Sequence, residues 1–332
     1  MSLRPFRLPN DLTLMVDLLP KSFQYPENPE WSLQEDETEN FLSMVNTARR
    51  LWPLFSVLFK TSPSLRDALH GFIWEEDGTP AGMVNISRDG STDDWAIANV
   101  GVLPEFRRRG IARKLVEAAI GLAREHRAEH ILLDVISGNT PAYDLYVALG
   151  FAHFSSSTTL LHDAPTAATP DCPMPKEYTI TRLATTHWQP FYELARRVTP
   201  SDVQAFRPVT VQSFRNSPML NLVIRLLNTF SGARELGLVV RDGKEQQVVA
   251  TANITAQTRG TGMNVCRIVL DPEHTQLAPP LVSTILSTSR QLSPRNRVEC
   301  RIDNWQPKLI DAATSSGFKR QYEYHRLGMK LS

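Results

Sequence analysis

Six consecutive residues, Arg107-Arg108-Arg109-Gly110-Ile111-Ala112, join three cations to a glycine and a small residue. As a turn into a helix, such a segment can hold a phosphate. The first N–H groups of a helix lack intrahelical acceptors, and the helix dipole is positive there. Gly110 has no Cβ to block close approach. The flanks read as the required elements. Trp95 to Val102 is strand-like and closed by Leu103-Pro104, and Ile111 to Arg127 is helix-like. Ile111, Leu115, Ala118 and Leu122 set one apolar stripe at helical spacing. Other reactive residues are scattered. His126 and His130 are four apart with no third ligand near in sequence, and a helix end accounts for both, so no metal site is expected. Cys172, Cys266 and Cys300 are odd in number, widely spaced and form no C-x-x-C. No G-x-x-x-x-G-K-[ST] segment is present, which argues against an NTPase.

The chain of 332 residues, 42% hydrophobic and 21% charged, has the composition of a globular protein of about two domains. A net charge of +1 gives no reason to expect a nucleic-acid or bulk-membrane partner. The first residues lack a signal peptide's apolar region, and Leu51 to Phe59 is too short to span a bilayer. Reduced cysteines and a soluble, cytoplasmic chain are expected.

The elements around the turn follow in order. Leu3 to Leu8 reads as a strand, and Asn10 as the cap of a helix reaching about Leu19. Tyr25 to Ser32 is a loop. Ser32 to Lys60 reads as one or two helices, with Glu35, Asp36, Glu37 and Glu39 near the start, where the dipole favours them. Strands at 71–75 and 81–86 flank an Asp77-Gly78 hairpin turn. His130 to Ile136 is a buried strand, Ser137 to Gly150 a helix and Phe151 to Leu161 a strand. Four prolines between Asp163 and Pro175 mark a linker. The second half repeats this order: strand 178–183, a helix from about His187 to Val198, a hairpin at Asp242-Gly243, strand 263–270, helix 281–292, strand 297–302, helix 305–315, and a last strand after Gly317-Phe318. Hairpin glycine to closing glycine is 72 residues in the first half (78 to 150) and 74 in the second (243 to 317). Equal order and spacing argue for an internal duplication. The expected domains are 1–162 and 178–332, joined by a linker at 163–177.

Val100-Gly101-Val102-Leu103-Pro104-Glu105-Phe106-Arg107-Arg108-Arg109-Gly110-Ile111-Ala112 resembles the acetyl-CoA motif of the GNAT acetyltransferase superfamily, whose core is Arg/Gln-x-x-Gly-x-Gly/Ala. Asn139-Thr140-Pro141-Ala142-Tyr143-Asp144-Leu145-Tyr146-Val147-Ala148-Leu149-Gly150-Phe151 resembles the family's second motif at every fixed position. The clear match covers Trp95 to Phe151. The resemblance implies two tandem α/β domains, each a mixed, twisted sheet flanked by helices and splayed between its fourth and fifth strands. It also implies acetyl transfer from acetyl-CoA to an amine, with no metal. The pantetheine arm would pair with Val100, Gly101 and Val102, and the pyrophosphate would sit on the N–H groups of Arg107 to Ala112. Asn139 would bond CoA or cap its helix, and Ala142 belongs to the same motif. A backbone N–H near Val102 would stabilise the oxyanion, and Tyr146 would be the general acid. Its rival role is that of a core tyrosine.

Family members often carry a glutamate base where this chain has Ala96. Asp93, Asp94 and, through water, Asn99 are the nearby candidates, and Asp134 reads as a structural carboxylate. The second half departs from the pattern. Its turn, Asp271-Pro272-Glu273-His274-Thr275-Gln276-Leu277-Ala278-Pro279-Pro280, has no glycine and loses N–H groups to proline. Ala313 stands at the tyrosine position. The second domain is expected to be degenerate and structural or substrate-shaping. The acceptor is expected to be a small-molecule or peptide amine. The chain would be a monomer with an internal pseudo-dimer, or a homodimer. The rival reading is a non-catalytic acyl-CoA sensor or scaffold.

Overall fold

The computed structural model describes residues 2–32, 42, 45–53, 56–57, 67, 69–89, 92–163, 172–184, 186–258 and 262–331. The acidic cluster 35–39 and most of the proline linker lie outside the described residues. In chain order the first half holds β1 (Ser2–Pro5), α1 (Asn10–Ser22), β2 (His70–Glu76), β3 (Thr79–Arg88), β4 (Asp94–Val102), α2 (Ile111–Glu125), β5 (His130–Ile136), α3 (Thr140–Ala148) and β6 (Ala152–His162). The second half holds β7 (Tyr178–Leu183), α4 (Gln189–Val198), α5 (Pro218–Ser231), β8 (Ala233–Asp242), β9 (Val248–Gln257), β10 (Met263–Leu270), α6 (Ala278–Leu292), β11 (Arg297–Asp303), α7 (Pro307–Ser315) and β12 (Lys319–Lys330). Among the described residues no helix is long and apolar enough to cross a membrane.

The chain packs as two compact units that do not follow chain order. One comprises Met1–Phe154, Asn216–Ile224 and Arg326–Ser332, and the other Ser155–Arg215 and Arg225–His325. In the first unit the strands run β1-β2-β3-β4-β5, and the end of β12 follows β5. Antiparallel pairs join β1 to β2, β2 to β3 and β3 to β4, whereas β4 and β5 are parallel. One sheet face packs on α2 through Trp74, Val84, Ile86, Trp95, Ile97, Leu115 and Val116, and Leu327 and Met329 of β12 complete that core. The other face packs on α1 through Leu12, Met15, Leu19, Ile73 and Met83. The buried stripe of α2 is Ile111, Leu115, Val116, Ala119, Ile120 and Ala123. It is rotated from the expected stripe, and Ala118 and Leu122 are half-buried. Each fully buried Leu or Ile here contributes roughly 1.5–3 kcal/mol of transfer free energy.

Several boundaries differ from expectation for local reasons. β1 stops at Pro5, and Pro9 rather than Asn10 takes the cap position of α1. Asp242-Gly243 is not a two-residue hairpin. The connection runs to Gln247, with Gln246 left-handed at φ 55° and Asp242 N–H donating to Gln247 O at 3.0 Å. α5 is not anticipated by the sequence reading. In the second unit β6 precedes β11-β10-β9-β8-β7, and β6 pairs antiparallel with β11 from Ser157↔Asp303 to His162↔Val298. Its core gathers Leu160, Leu238, Ile254, Leu281, Ile285 and Ile302.

Candidate active site

The site of the first unit begins where β4 leaves β5. Their parallel register runs Asp94↔His130, Trp95↔Ile131, Ala96↔Leu132 and ends there, although both strands continue. Opposite, β4 stays paired to β3 as far as Gly82↔Val102, with a register shift between Met83 and Asn85. Asn99 takes the extra-residue position with φ 54°. A bulge of this kind bends its strand and re-aims it. The β5-side edge of Val100 to Val102 is therefore open. Leu103 N–H donates to Ala81 O at 2.9 Å, so it points at β3. Alternation along a strand then turns the Val102 N–H the other way, into the cleft. Gly101 faces the end of α1, where a Cβ would come 2.7 Å from the Ser22 Cβ.

The arginine-glycine turn caps this cleft. Arg107 N–H is taken by Pro104 O at 3.2 Å, so the run of open amides starts at Arg108. From Arg108 to Ala112 no backbone acceptor is recorded among the described residues, and the first helical bond is Lys114 N–H to Gly110 O at 3.2 Å. Gly110 caps α2 in the left-handed region at φ 77°, with open space where a Cβ would stand. Ile111 is a core anchor at 3% exposure, and Ala112 is half-buried behind it.

The three arginines do three different things. Arg107 donates to Ser22 O at 3.0 Å, Gln24 O at 3.0 Å and Val102 O at 3.3 Å, and lies 4.2 Å over the Tyr25 ring. Its guanidinium thus ties off the end of α1 rather than facing a phosphate. Arg109 folds back to Glu105 O at 2.8 Å and over Phe106. Arg108, left-handed at φ 63°, has no side-chain partner among the described residues.

Tyr146 is 7% exposed and edge-on to Phe151 with ring centres 6.1 Å apart. Burial, reinforced by nearby Tyr25, pushes its phenol well above the ordinary value. Its hydroxyl has no hydrogen-bond partner among the described residues. Tyr25 opens the stretch, up to Lys60, from which acceptor-binding residues are expected, but the sequence reading gives it no individual role. It links Arg107 to Tyr146 and packs edge-on against Trp31 at 5.7 Å. Its only signal is an aromatic pair in a loop. Asn139 Oδ1 accepts the Ala142 N–H at 3.2 Å, so this side chain caps α3 and occupies the Ala142 amide.

The candidate bases lie elsewhere. Asp94 is eight residues before Val102, about 26 Å along a strand. It is buried against His130 Nδ1 at 2.8 Å. Burial pushes its carboxyl up, and the His130 bond pulls it partly back. Asp93 pairs with Arg88 at that same far end. Asp134 faces outward, 4.0 Å from Arg326. Asn99 Nδ2 donates to Asn85 Oδ1 at 3.1 Å. The two histidines also part. His130 stays with Asp94, whereas His126 Nδ1 lies 3.7 Å from Asp67 Oδ1, beside His70. The fold thus gathers Asp67, His70 and His126, with one nitrogen or oxygen of each lying within 4.8 Å of the others.

Residues 21–151 match the model of the acetyltransferase (GNAT) family. The first half is thus similar to the GNAT family. Streptothricin acetyltransferase of Streptomyces lavendulae is 37% identical over 76 residues, 23% of this chain and 40% of that protein. A peptidyl-lysine N-acetyltransferase of Escherichia coli is 33% identical over 93 residues, 27% of this chain and 57% of that protein. The chain thus spans about half the length of these GNAT relatives. A tandem GNAT protein from the clavulanic acid biosynthesis pathway has the same fold over 99% of this chain and 98% of its own, with TM-score 0.64 and 16% identity. The fold is two GNAT domains in tandem.

The second unit repeats the frame of the cleft and fills it. Asp271 N–H donates to Val249 O at 2.8 Å, as Leu103 does to Ala81. Leu270 is therefore the counterpart of Val102. Its N–H donates to Gln306 Oε1 at 2.8 Å, and Gln306 Nε2 reaches Ile268 O at 3.4 Å. Gln306, 6% exposed, precedes α7 as Asn139 precedes α3. The β10–β11 register also runs longer, from Met263↔Arg297 to Arg267↔Arg301. Asp271 is held by Arg197 at 2.7 Å and caps its own turn through Glu273 N–H at 3.0 Å.

Proposed function

We propose that the first unit transfers an acetyl group from acetyl-CoA to a primary amine of a small molecule or peptide. One observation carries the reading: the Val100–Val102 edge and the amides of Arg108 to Ala112 are left open, while Gln306 seals the equivalent edge of the second unit. These open donors and the space over Gly110 suit a pantetheine arm and a diphosphate. Bound acetyl-CoA would supply a thioester whose carbonyl carbon the amine attacks as the carbon–sulfur bond breaks.

The chain's own part is positioning and charge. Helix-start amides hold a diphosphate without a metal, and Arg108 adds a cation. The Val102 N–H stands where it can take up developing negative charge on the carbonyl oxygen. Tyr146, kept protonated by burial, gives its proton to the leaving sulfur. With Ala96 at the strand position and both aspartates at the far end of β4, the amine's proton leaves through water, with Asn99 and Asn85 as the polar groups on that stretch. Tyr25 and Trp31 form an aromatic wall for the acceptor. Relatives named for a small molecule and for a peptidyl lysine keep both acceptor classes within the proposal. The second unit, sealed by Gln306 and lacking a tyrosine at Ala313, serves structure or acceptor shape.

Calorimetry tests the reading. One acetyl-CoA per chain is expected, abolished by Gly110→Pro, with thiol release on addition of a suitable amine. No binding, or binding without transfer across a broad amine panel, would overturn it.

A further inference from the structure

We propose that Asp67, His70 and His126 form a binding site for a divalent transition metal of the zinc class, separate from the acetyl-transfer cleft. Their potential ligand atoms lie within 4.8 Å of one another. His70 Nε2 is 3.1 Å from Asp67 Oδ1, and His126 Nδ1 is 3.7 Å from the same oxygen. A tetrahedral ion with bonds of about 2.0–2.2 Å separates its ligands by roughly 3.3–3.5 Å, so these two distances bracket the requirement. The widest spacing closes by moving His126, whose side chain is 33% exposed and sits at a helix end. Two imidazoles and a carboxylate are a donor set for zinc, cobalt, nickel or copper. Calcium and magnesium need oxygen-rich shells that this cluster does not offer.

The ligands are held by separate elements, which pre-forms the site. His70 opens β2 in register with Ile86. Asp67 is fixed by Arg88 N–H, which donates to its carbonyl at 2.9 Å. His126 follows the last residue of α2, with its N–H bonded to Leu122 O at 3.1 Å. Trp95, 1% exposed, packs against both imidazoles with ring centres at 5.7 and 4.8 Å. It gives the site an apolar wall. His70 also borders a cavity of about 470 Å³, together with Phe6, Phe72, Leu122 and Glu125. Trp95 is seven residues before Val102, about 23 Å along β4, so the ion is not a participant in acetyl transfer. Its effect is to fasten the end of α2 to β2 and to Asp67. This inference does not depend on the acetyltransferase reading.

The test uses the full chain after chelator treatment. Titration with zinc chloride by calorimetry should show one saturable site per chain, and cobalt should give the visible absorption of an imidazole-ligated ion. Saturating zinc should raise the midpoint of thermal unfolding, as any ligand selective for the folded state does. His126→Ala, at an exposed helix end, should weaken zinc at least about tenfold, the lower range seen even for loss of supporting groups. Asp67→Asn should do the same while circular dichroism stays that of the parent. No saturable site, or a site of parental affinity in both variants, overturns the proposal. The latter result would assign the metal to other residues.

Discussion

Replacing Arg107 by alanine separates a strut from a phosphate ligand. The guanidinium makes two hydrogen bonds at 3.0 Å to Ser22 O and Gln24 O, a longer one at 3.3 Å to Val102 O, and a stack on Tyr25. The two short bonds contribute about 1 kcal/mol each, and the stack at a partly exposed site about 0.5–1 kcal/mol. Loss of these contacts should cost the first unit roughly 2.5–3 kcal/mol, or about 5–12 °C in its unfolding midpoint. Acetyl-CoA affinity, measured below the new midpoint, should change by no more than about threefold. Arg108→Ala should show the opposite pattern. It should leave the midpoint within about 1 °C, lower acetyl-CoA affinity about tenfold and flatten its salt dependence, because one charge-assisted phosphate contact is lost. Differential scanning calorimetry and binding titrations at two salt concentrations read both variants. If Arg107→Ala melts like the parent yet no longer binds acetyl-CoA, the strut assignment is wrong.

Two further outcomes follow from the same geometry. Tyr146→Phe should lower kcat about 100-fold while the acetyl-CoA Kd moves less than twofold, and equal loss in both would return Tyr146 to a packing role. Because burial raises the Tyr146 pKa above the unfolded value of 10.0, its contribution to stability is complete below pH 10 and lost as pH rises beyond it. Alkaline melting curves of Tyr146→Phe should therefore fall less steeply than those of the parent, and parallel curves would contradict the assigned shift. Asp94→Asn should keep kcat within about twofold. A large drop in kcat with an altered pH profile would make Asp94 a base despite its place about 26 Å from Val102.

What the sequence disclosed depended on how local the cause was. β5, β7 and β10 match their expected bounds residue for residue, because β5 and β10 are short, mostly apolar runs and β7 alternates apolar with polar residues. The cap role of Asn139 was readable from Asn-x-Pro at a helix start. The strut role of Arg107 was not, since its acceptors lie 83 and 85 residues away. Asp94 stood among the candidate bases because its partner, His130, becomes its neighbour only when β4 and β5 align. The plug in the second unit could have been suspected from Gln306 standing at the Asn139 position, but only the register shows what its amide reaches. The Asp67–His70–His126 group unites residues from three elements, and spacing along the chain carries no trace of it.

The composition of the two packed units bears on how this chain can be made and cut. The first unit takes Leu327 and Met329 into its core, more than 170 residues after β6 has begun. A ribosome that has released the first half has therefore not yet released a complete hydrophobic interior for it. The open position beside β5 must wait, shielded or solvated, until the final residues emerge, so the usual order in which an early domain folds first does not hold here. The reciprocal debt falls on residues 155–162, made early and used late, in the sheet of the other unit. Cutting the gene at its proline-rich middle would yield two fragments, each carrying a strand that belongs to the other.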